Sequence, residues 1–384
     1  MKKCVNLCFI VLILCGLTLG LVRTVFFPKT LNTYENRYAN QIALPTPGSY
    51  ADGSFQSSVE AALSDQLPFS QRFKRLYNLA SSALTTALLN AVVEPGRYYR
   101  IGDRLLFSDY LVFSPRTPDE LQDELDARAA NLNAAFAAHP ETDFYVYYIE
   151  RDSDLNFETG VRLHADDVLF SQLTLPAERM GTYEIPDFAT FAERYYRTDH
   201  HWCYRGSYLA YCELLDLLGC GDGPLAPYAT ETLGQFSGSK AAATGLEGFY
   251  EPMTVYRFNF PAMDITVNGS PAADYGNQNG NPLADGYILN YASVYGNDDG
   301  EVVFDTHRAD RSNLLILGES YDNAVIKLLA THFQKTYAVD LRYYSPYMGE
   351  EFSLGDYLQK NGIDTVLLIG SIDFFNTDDF ILEG

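Results

Sequence analysis

The clearest pattern in this chain lies towards its C-terminal end, where continuous apolar runs alternate with stretches of helical spacing. Leu314 to Leu317 are all apolar, and apolar residues then recur at 325, 326, 328, 329 and 333. Short continuous runs of this kind belong to strands buried on both faces, and the helical stretches between them make crossover connections. The pattern predicts strand 314–317, helix 322–333, strand 336–340, helix 353–360 stopped by Gly362, and strand 364–369. Strands alternating with helices imply right-handed crossovers and a mostly parallel sheet, an α/β architecture.

Upstream, the run 144–149 reads as another strand buried on both faces. Glu150, Arg151, Asp152 and Asp154 follow it at once, and most of them are expected in a solvated loop at the strand end. Thr117-Pro118-Asp119-Glu120 is a capping box that opens a helix ending before Pro140. Residues 55–93 are helical in pattern with a break at Pro68, and two further helices are expected over 188–196 and 206–218. Residues 224–248, rich in Gly, Ala, Ser and Thr, read as a long surface loop or lid. Segments 253–265 and 287–294 read as strands added antiparallel to the sheet. There is no internal repeat.

The N-terminus changes the picture of where this body resides. Met1-Lys2-Lys3 precedes a 19-residue run, 4–22, whose only strongly polar member is Asn6. Such a run is long enough to span a bilayer, and the Lys pair places the N-terminus in the cytoplasm. A cleaved signal peptide is the competing reading, but no small-x-small cleavage site follows the run. The expectation is an uncleaved signal-anchor over 1–27, a linker and start of the body over 28–54, and an extracytoplasmic α/β domain over 55–384. Cys4, Cys8 and Cys15 fall in the apolar run. Of the external Cys203, Cys212 and Cys220, the last two could pair across a helix end, or all three stand as thiols. With 47% hydrophobic and 20% charged residues the chain is globular, and its net charge of −23 argues against a nucleic-acid partner.

Candidate chemistry sits in two stretches. In Arg197-Thr198-Asp199-His200-His201-Trp202, an extended backbone would project Asp199 and His201 to the same side and His200 away from them. A carboxylate beside an imidazole fixes its tautomer and stabilises the imidazolium formed during proton transfer. In Leu314-Leu-Ile-Leu-Gly318-Glu319-Ser320, a buried strand runs into a sharp turn before a helix. Ser320 at that junction would lie near backbone N–H groups and a helix N-terminus, both of which favour developing negative charge. The pair of stretches supplies Asp199, His201 and Ser320 as orienter, base and nucleophile. The two adjacent His could instead belong to a metal site, but no His-Glu-x-x-His or Cys-x-x-Cys spacing accompanies them.

These motifs, with Glu35-Asn36-Arg37, Asp65-Gln66-Leu67-Pro68, Arg72, Gly102-Asp103-Arg104-Leu105-Leu106-Phe107, Gly206, Tyr208-Leu209-Ala210-Tyr211, Asn323 and Val339-Asp340-Leu341-Arg342-Tyr343-Tyr344, give the chain a family likeness. It resembles the bacterial DHHW protein family, itself related to the SGNH-hydrolase-like catalytic subunits of alginate O-acetylation. The resemblance implies a three-layer α/β/α fold, permuted so that the Asp-His pair precedes the serine. It implies Ser320 as nucleophile, His201 as general base and Asp199 as its orienter. Asn323 and Gly296 are candidates for the oxyanion hole, and Tyr321, Arg342 and Trp202 for oxyanion or substrate contacts. The usual Gly-Asp-Ser is here Gly318-Glu319-Ser320, one methylene longer.

The function this implies is a membrane-anchored, extracytoplasmic O-acetyltransferase acting on a cell-envelope or secreted polysaccharide through an acyl-serine intermediate. A multi-spanning membrane acyltransferase would be the acetyl donor, and no metal or other cofactor is expected. The same residues serve a carbohydrate acetyl-esterase if water accepts the acyl group. A third reading is a non-catalytic glycan-binding or scaffolding subunit in which Glu319 marks a decayed turn.

Overall fold

Among the described residues eight strands make the central sheet: β1 Asp143–Ile149, β2 Met180–Tyr183, β3 Asp264–Val267, β4 Ser270–Ala272, β5 Glu301–Asp305, β6 Leu314–Gly318, β7 Lys335–Val339 and β8 Thr365–Gly370. Their order across the sheet is β4–β3–β5–β7–β6–β8–β1–β2. The computed structural model describes residues 96–376 except 103, 118–121, 245–248 and 277–287, together with Leu382 and scattered earlier positions. Those earlier positions include 9–11, 26–29, 37–42, 44–51 and 53–66.

Strands β7, β6, β8, β1 and β2 pair in parallel, and β5, β3 and β4 extend one edge antiparallel. Alternation along each parallel strand feeds two cores. Leu314 and Ile316 of β6, Tyr147 and Ile149 of β1, and Leu367 and Ile369 of β8 face helices Tyr204–Leu217 and Ile326–Ala330. Leu315, Leu317, Val146, Tyr148, Val366 and Leu368 face Gln122–Ala138 and Leu354–Asn361 on the other side. All five residues of β6 are buried, which is why the sequence there is a continuous apolar run. Burying Leu314 to Leu317 contributes about 2 kcal/mol per side chain, so the strand that delivers Ser320 is firmly seated.

The fold departs from the sequence expectation in several places, among them 253–265, which is split between Glu251–Arg257, paired outside the central sheet, and β3 within it. The helix expected over 322–333 is a 3₁₀ turn, Asp322–Ala324, followed by Ile326–Ala330. Its tighter winding brings the Asp322 carboxylate back over Gly318. The stretch 224–248 contains a strand, Ala229–Phe236, paired antiparallel with Glu251–Arg257. Most of Ala229–Phe236 is exposed, so it carries no alternation of hydrophobicity to betray it. Over 287–294 there is a single bridge from Leu289 to Phe236 and a helical turn, Ala292–Tyr295, rather than a strand. Finally, Glu150, Arg151, Asp152, Ser153 and Asp154 are all buried, not solvated, because their charges are met by one another and by distant partners.

The chain divides into two compact units, one of residues 1–93, 101–103 and 241–248, the other of 94–100, 104–240 and 249–384. In the first, Asp65 and Gln66 close helix Ser54–Gln66 and are buried. Asp65 accepts the backbone and side-chain N–H of Asn40, both at 2.9 Å, and Gln66 accepts the Lys29 N–H. Most of the apolar run 4–22 lies outside the described residues. Among the described residues no helix is long and apolar enough to cross a membrane. The described members Phe9, Ile10, Val11 and Leu14 are helical and exposed. In the second unit Cys203, Cys212 and Cys220 stand as free thiols.

Candidate active site

Ser320 follows β6 in a tight turn closed by its neighbours. A side chain at Gly318 would place its Cβ 2.3 Å from an Asp322 carboxylate oxygen, so anything larger than glycine would displace that carboxylate. The Asp322 N–H donates to the Glu319 carbonyl at 2.8 Å and closes the turn. The Glu319 side chain does not disturb it. Its carboxylate reaches across to β8 and accepts the Ser371 N–H at 2.7 Å. Ser320 is left half-buried at the C-terminal end of the sheet, where ligands bind in open α/β folds.

The Asp-His stretch is not extended. Tyr195 bridges Trp202, the Tyr196 N–H donates to the His201 carbonyl at 3.1 Å, and the residues between them turn in a tight loop. Asp199 and His201 meet because the His201 N–H donates to Asp199 Oδ1 at 3.0 Å, an Asx-type turn. For the same reason His200 does not point away. Its ring lies 3.9 Å from that of His201, centroid to centroid, and its Nδ1 is 2.8 Å from Ser239 Oγ.

Asp199, His201 and Ser320 form a continuous hydrogen-bonded line. His201 Nδ1 is 2.6 Å from Asp199 Oδ1, and His201 Nε2 is 2.8 Å from Ser320 Oγ. Burial pushes the Asp199 carboxyl up, but the neighbouring His201 and His200 outweigh it and hold the group well below the usual carboxylate range. Burial, and then His201, push His200 well below the ordinary imidazole value, which leaves it neutral. An ionised Asp199 can only accept. A proton between the two therefore belongs to His201 Nδ1, and in the neutral imidazole this leaves Nε2 as the acceptor facing the Ser320 hydroxyl. This is the arrangement a general base needs towards a nucleophile.

The second carboxylate oxygen is also held. Asp199 Oδ2 accepts the Ser239 N–H at 2.6 Å, and a side chain at Gly238 would bring its Cβ within 2.3 Å of Asp199 Cβ. Thr198 is anchored by Glu251, whose Oε1 accepts both the Thr198 N–H and its hydroxyl at 2.7 and 2.6 Å. The phenol ring of Tyr291 stacks on the His201 imidazole at 3.8 Å and 8°. None of Ser239, Glu251 and Tyr291 carries a sequence signal of its own. Each comes from a segment remote in the chain and is an ordinary residue for a turn or strand.

The other expected residues fall in three groups. Tyr321 and Trp202 are buried between the two stretches. The Tyr321 hydroxyl donates to the His200 carbonyl at 2.7 Å, and the two rings meet edge to face at 5.6 Å. Asn323 lines a cleft beside Glu319 with Tyr275, Asp298, Asp322 and Asp340. Its Oδ1 accepts the Tyr275 hydroxyl at 3.0 Å and its Nδ2 donates to Asp298 at 3.3 Å. Gly296 has a φ of 103° and its N–H donates to the Ala292 carbonyl; the Tyr275 ring fills the space a Cβ would need. Arg342 pairs with Asp340 at 2.5 Å. Burial pushes the Asp340 carboxyl up to about 6 against the pull of Arg342.

Among the described residues two groups bring three possible metal ligands together, Asp199 with His200 and His201, and His164 with Asp166 and Asp167. In the first, Asp199 Oδ1 and His201 Nδ1 are spent on each other, so the set presents no open face of donors. The second lies at the start of helix Ala165–Phe170 with His164 and Asp167 exposed.

Three comparisons place this architecture. No curated protein matches the chain in sequence. The solved structure of Bacillus cereus PatB1 with a sulfonyl adduct superposes with a TM-score of 0.56 at 18% identity, over 75% of this chain and 99% of that one. A DHHW family protein from Eubacterium siraeum superposes equally well, with a TM-score of 0.56 at 17% identity, over 75% of this chain and 98% of that one. The O-acetyltransferase domain of Pseudomonas putida AlgJ reaches a TM-score of only 0.38 at 12% identity, over 72% of this chain and 90% of that one, too loose a likeness to argue from. The first two likenesses establish the fold, a mixed α/β arrangement around a large, mostly parallel sheet. The family model described as DHHW protein matches residues 164–339, the span that contains Asp199, His201 and Ser320, so the chain is similar to that family over this span.

Proposed function

We propose that this chain is an extracytoplasmic O-acetyltransferase that modifies a polysaccharide through an acetyl-serine intermediate. The observation that carries the reading is the line from Asp199 through His201 to Ser320, with gaps of 2.6 and 2.8 Å. The match of residues 164–339 to the DHHW family model, in a sequence that resembles that family along much of its length, supports the choice of acyl transfer to a sugar. A covalent sulfonyl adduct on a protein of the same fold accords with a reactive nucleophile in such a site.

In this mechanism Ser320 Oγ attacks the carbonyl carbon of an acetyl donor as His201 Nε2 takes the hydroxyl proton. Asp199 holds the imidazole in place and balances the imidazolium. Backbone N–H groups of the turn after β6 stabilise the tetrahedral oxyanion. Collapse passes the proton from His201 to the leaving group and leaves acetyl-Ser320. A sugar hydroxyl then enters, gives its proton to His201 Nε2, and attacks the acetyl carbon. The second collapse returns the proton to Ser320 Oγ and releases the acetylated glycan.

The acetyl donor would be a multi-spanning membrane acyltransferase, with this chain held beside it by residues 1–27. Exposed Phe9, Ile10, Val11 and Leu14 on helical backbone support an anchor, since solvent-facing apolar surface of that kind otherwise calls for a partner.

The test compares the full chain in detergent, wild type beside Ser320→Ala, with an acetyl ester chromogen and neutral oligosaccharides. Serine-dependent formation of an acetylated sugar, read by mass spectrometry, is the expected result. Free acetate alone would identify an esterase. No turnover and no acyl mark on Ser320 would overturn the catalytic reading in favour of a scaffold.

A further inference from the structure

Consecutive residues at the end of β1 reach towards the two halves of the Asp199–His201–Ser320 line. Arg151 ion-pairs with Asp373 at 2.6 Å and reaches Ser371, the residue whose N–H holds Glu319 beside Ser320. Asp152 reaches the other half through Lys240. The Lys240 Nζ lies 2.5 Å from Asp152 Oδ2, and neither side chain exposes any surface. Asp152 Oδ2 also accepts the Phe113 N–H at 2.7 Å, and the ammonium sits 5.1 Å from the centre of the Phe113 ring.

A buried ion pair is poor evidence of stabilisation. Removing both charges from water costs several kcal/mol each, and well-packed apolar residues of similar size often do as well. The Lys240–Asp152 pair therefore calls for another role, and its chain position supplies one. Lys240 directly follows Gly238-Ser239, the two residues that grip Asp199. The Ser239 N–H donates to Asp199 Oδ2 at 2.6 Å, the Gly238 N–H donates to Thr198 Oγ1 at 3.1 Å, and Ser239 Oγ meets His200 Nδ1 at 2.8 Å. Gly238 and Ser239 join the strand ending at Phe236 to the helix Ser239–Thr244, so their grip is only as steady as the fixed points on either side. On one side the Ser237 N–H donates to the Leu289 carbonyl at 3.1 Å; on the other, in the first turn of the helix, Lys240 is tied to the end of β1 by a charged interaction with one length and one direction.

We propose that Lys240 is a positioning residue: its ion pair with Asp152 sets the Ser239 N–H on Asp199 Oδ2 and thereby the aim of the His201 imidazole at Ser320. The catalytic meaning of that aim rests on the function proposed above. The geometric part stands apart from it and has its own readout.

The experiment uses the full chain in detergent with Lys240→Met, Asp152→Asn and the two combined. Lys240→Met alone leaves a buried carboxylate without its cation and lowers the melting temperature. The double variant removes both charges, keeps an acceptor for the Phe113 N–H, and recovers most of that loss. Two further quantities are followed in each protein. One is the downfield proton resonance of His201 Nδ1–H, assigned by its loss in His201→Gln. The other is the rate, against pH, at which a sulfonyl fluoride labels Ser320.

With positioning, the double variant regains its melting temperature but labels at least tenfold more slowly than wild type, and the His201 resonance shifts or broadens in both Lys240 variants. If labelling and resonance return to wild type along with the melting temperature, the pair is only structural and the proposal is overturned. If wild-type Ser320 is never labelled, the catalytic reading fails on its own account. The resonance then decides the inference, a shift in Lys240→Met supporting it and an unchanged signal overturning it.

Discussion

The Glu319 carboxylate accepts the backbone N–H of Ser371 at 2.7 Å, so the turn that carries Ser320 is tied to the end of the neighbouring strand β8. A shorter acid in the same place could not span that gap without moving the turn. Glu319→Gln keeps an acceptor of the same reach and is expected to label at Ser320 within about threefold of wild type. Glu319→Asp withdraws the oxygen by one methylene and leaves the buried Ser371 N–H unpaired. That costs about 1–3 kcal/mol. Labelling of Ser320 by a sulfonyl fluoride should fall at least tenfold, even though Asp is the residue the wider resemblance leads one to expect there. Equal rates for Glu319→Asp and wild type would show that the tie does not hold the serine.

Tyr291 stacks on His201 at 3.8 Å and 8° and is buried. Its ring, not its hydroxyl, is what confines the imidazole. Tyr291→Phe should therefore keep Ser320 reactivity close to wild type. Tyr291→Ala opens a cavity against the imidazole and should cost about 3–5 kcal/mol of stability. His201 is then free to rotate, and labelling should fall at least tenfold more than in the Phe variant. Denaturant unfolding and labelling of the two variants side by side check both halves. Matching rates in the two would remove the ring from the mechanism.

Much of this architecture was legible in the chain. The strands at 314–317 and 364–369 announce themselves because burial on both faces forbids polar residues, and Ser320 stands out because Gly318-Glu319-Ser320 interrupts such a run. Asp199 and His201 are legible because two residues of complementary chemistry stand two positions apart. Their meeting by a turn instead of by strand alternation was not, and His200 was misplaced as a result. Residues that act through long-range contact leave no local trace. Ser239, 40 positions beyond Asp199, is an ordinary residue for a turn. The charges after β1 mislead in the opposite sense. Polarity suggests solvent, yet Asp152 and Asp154 are both buried: Asp152 Oδ2 is met by Lys240, and Asp154 by the Tyr148 hydroxyl and the Arg151 N–H.

Asp154 gives the fold a pH dependence of definite sign. Burial pushes its carboxyl up to about 7, against the Arg151 N–H and side chain and the Tyr148 hydroxyl, which pull it down. A folded value above the unfolded one means that the native state binds the proton more tightly. Its contribution is fully present below about pH 4 and is lost as pH rises through 7. The loss across that window is on the order of 4 kcal/mol for this group. Asp154→Asn keeps an acceptor for the Arg151 N–H and cannot ionise. Urea unfolding at a series of pH values from 4 to 8 should show wild type losing stability relative to the variant as pH rises. Parallel curves would mean that Asp154 ionises in the fold as it does in the unfolded chain.

Gly238 offers the sharpest steric test of the site. An added Cβ would lie 2.3 Å from Asp199 Cβ and 2.7 Å from Asp199 Cα. The second of these is backbone, so no side-chain rotation relieves the overlap, and the segment must move away from Asp199. That movement lengthens the 2.6 Å bond from the Ser239 N–H to Asp199 Oδ2. Gly238→Ala should cost about 1–3 kcal/mol, the range for an overpacked position, while leaving the sheet intact. Ser320 labelling should fall about a hundredfold, far more than the loss of stability explains. Gly234→Ala is the control, because its Cβ would meet only Leu289 Cδ1, at an ordinary 3.5 Å. Full reactivity in Gly238→Ala would show that the grip on Asp199 can be released at no cost, and that the carboxylate is held by His201 alone.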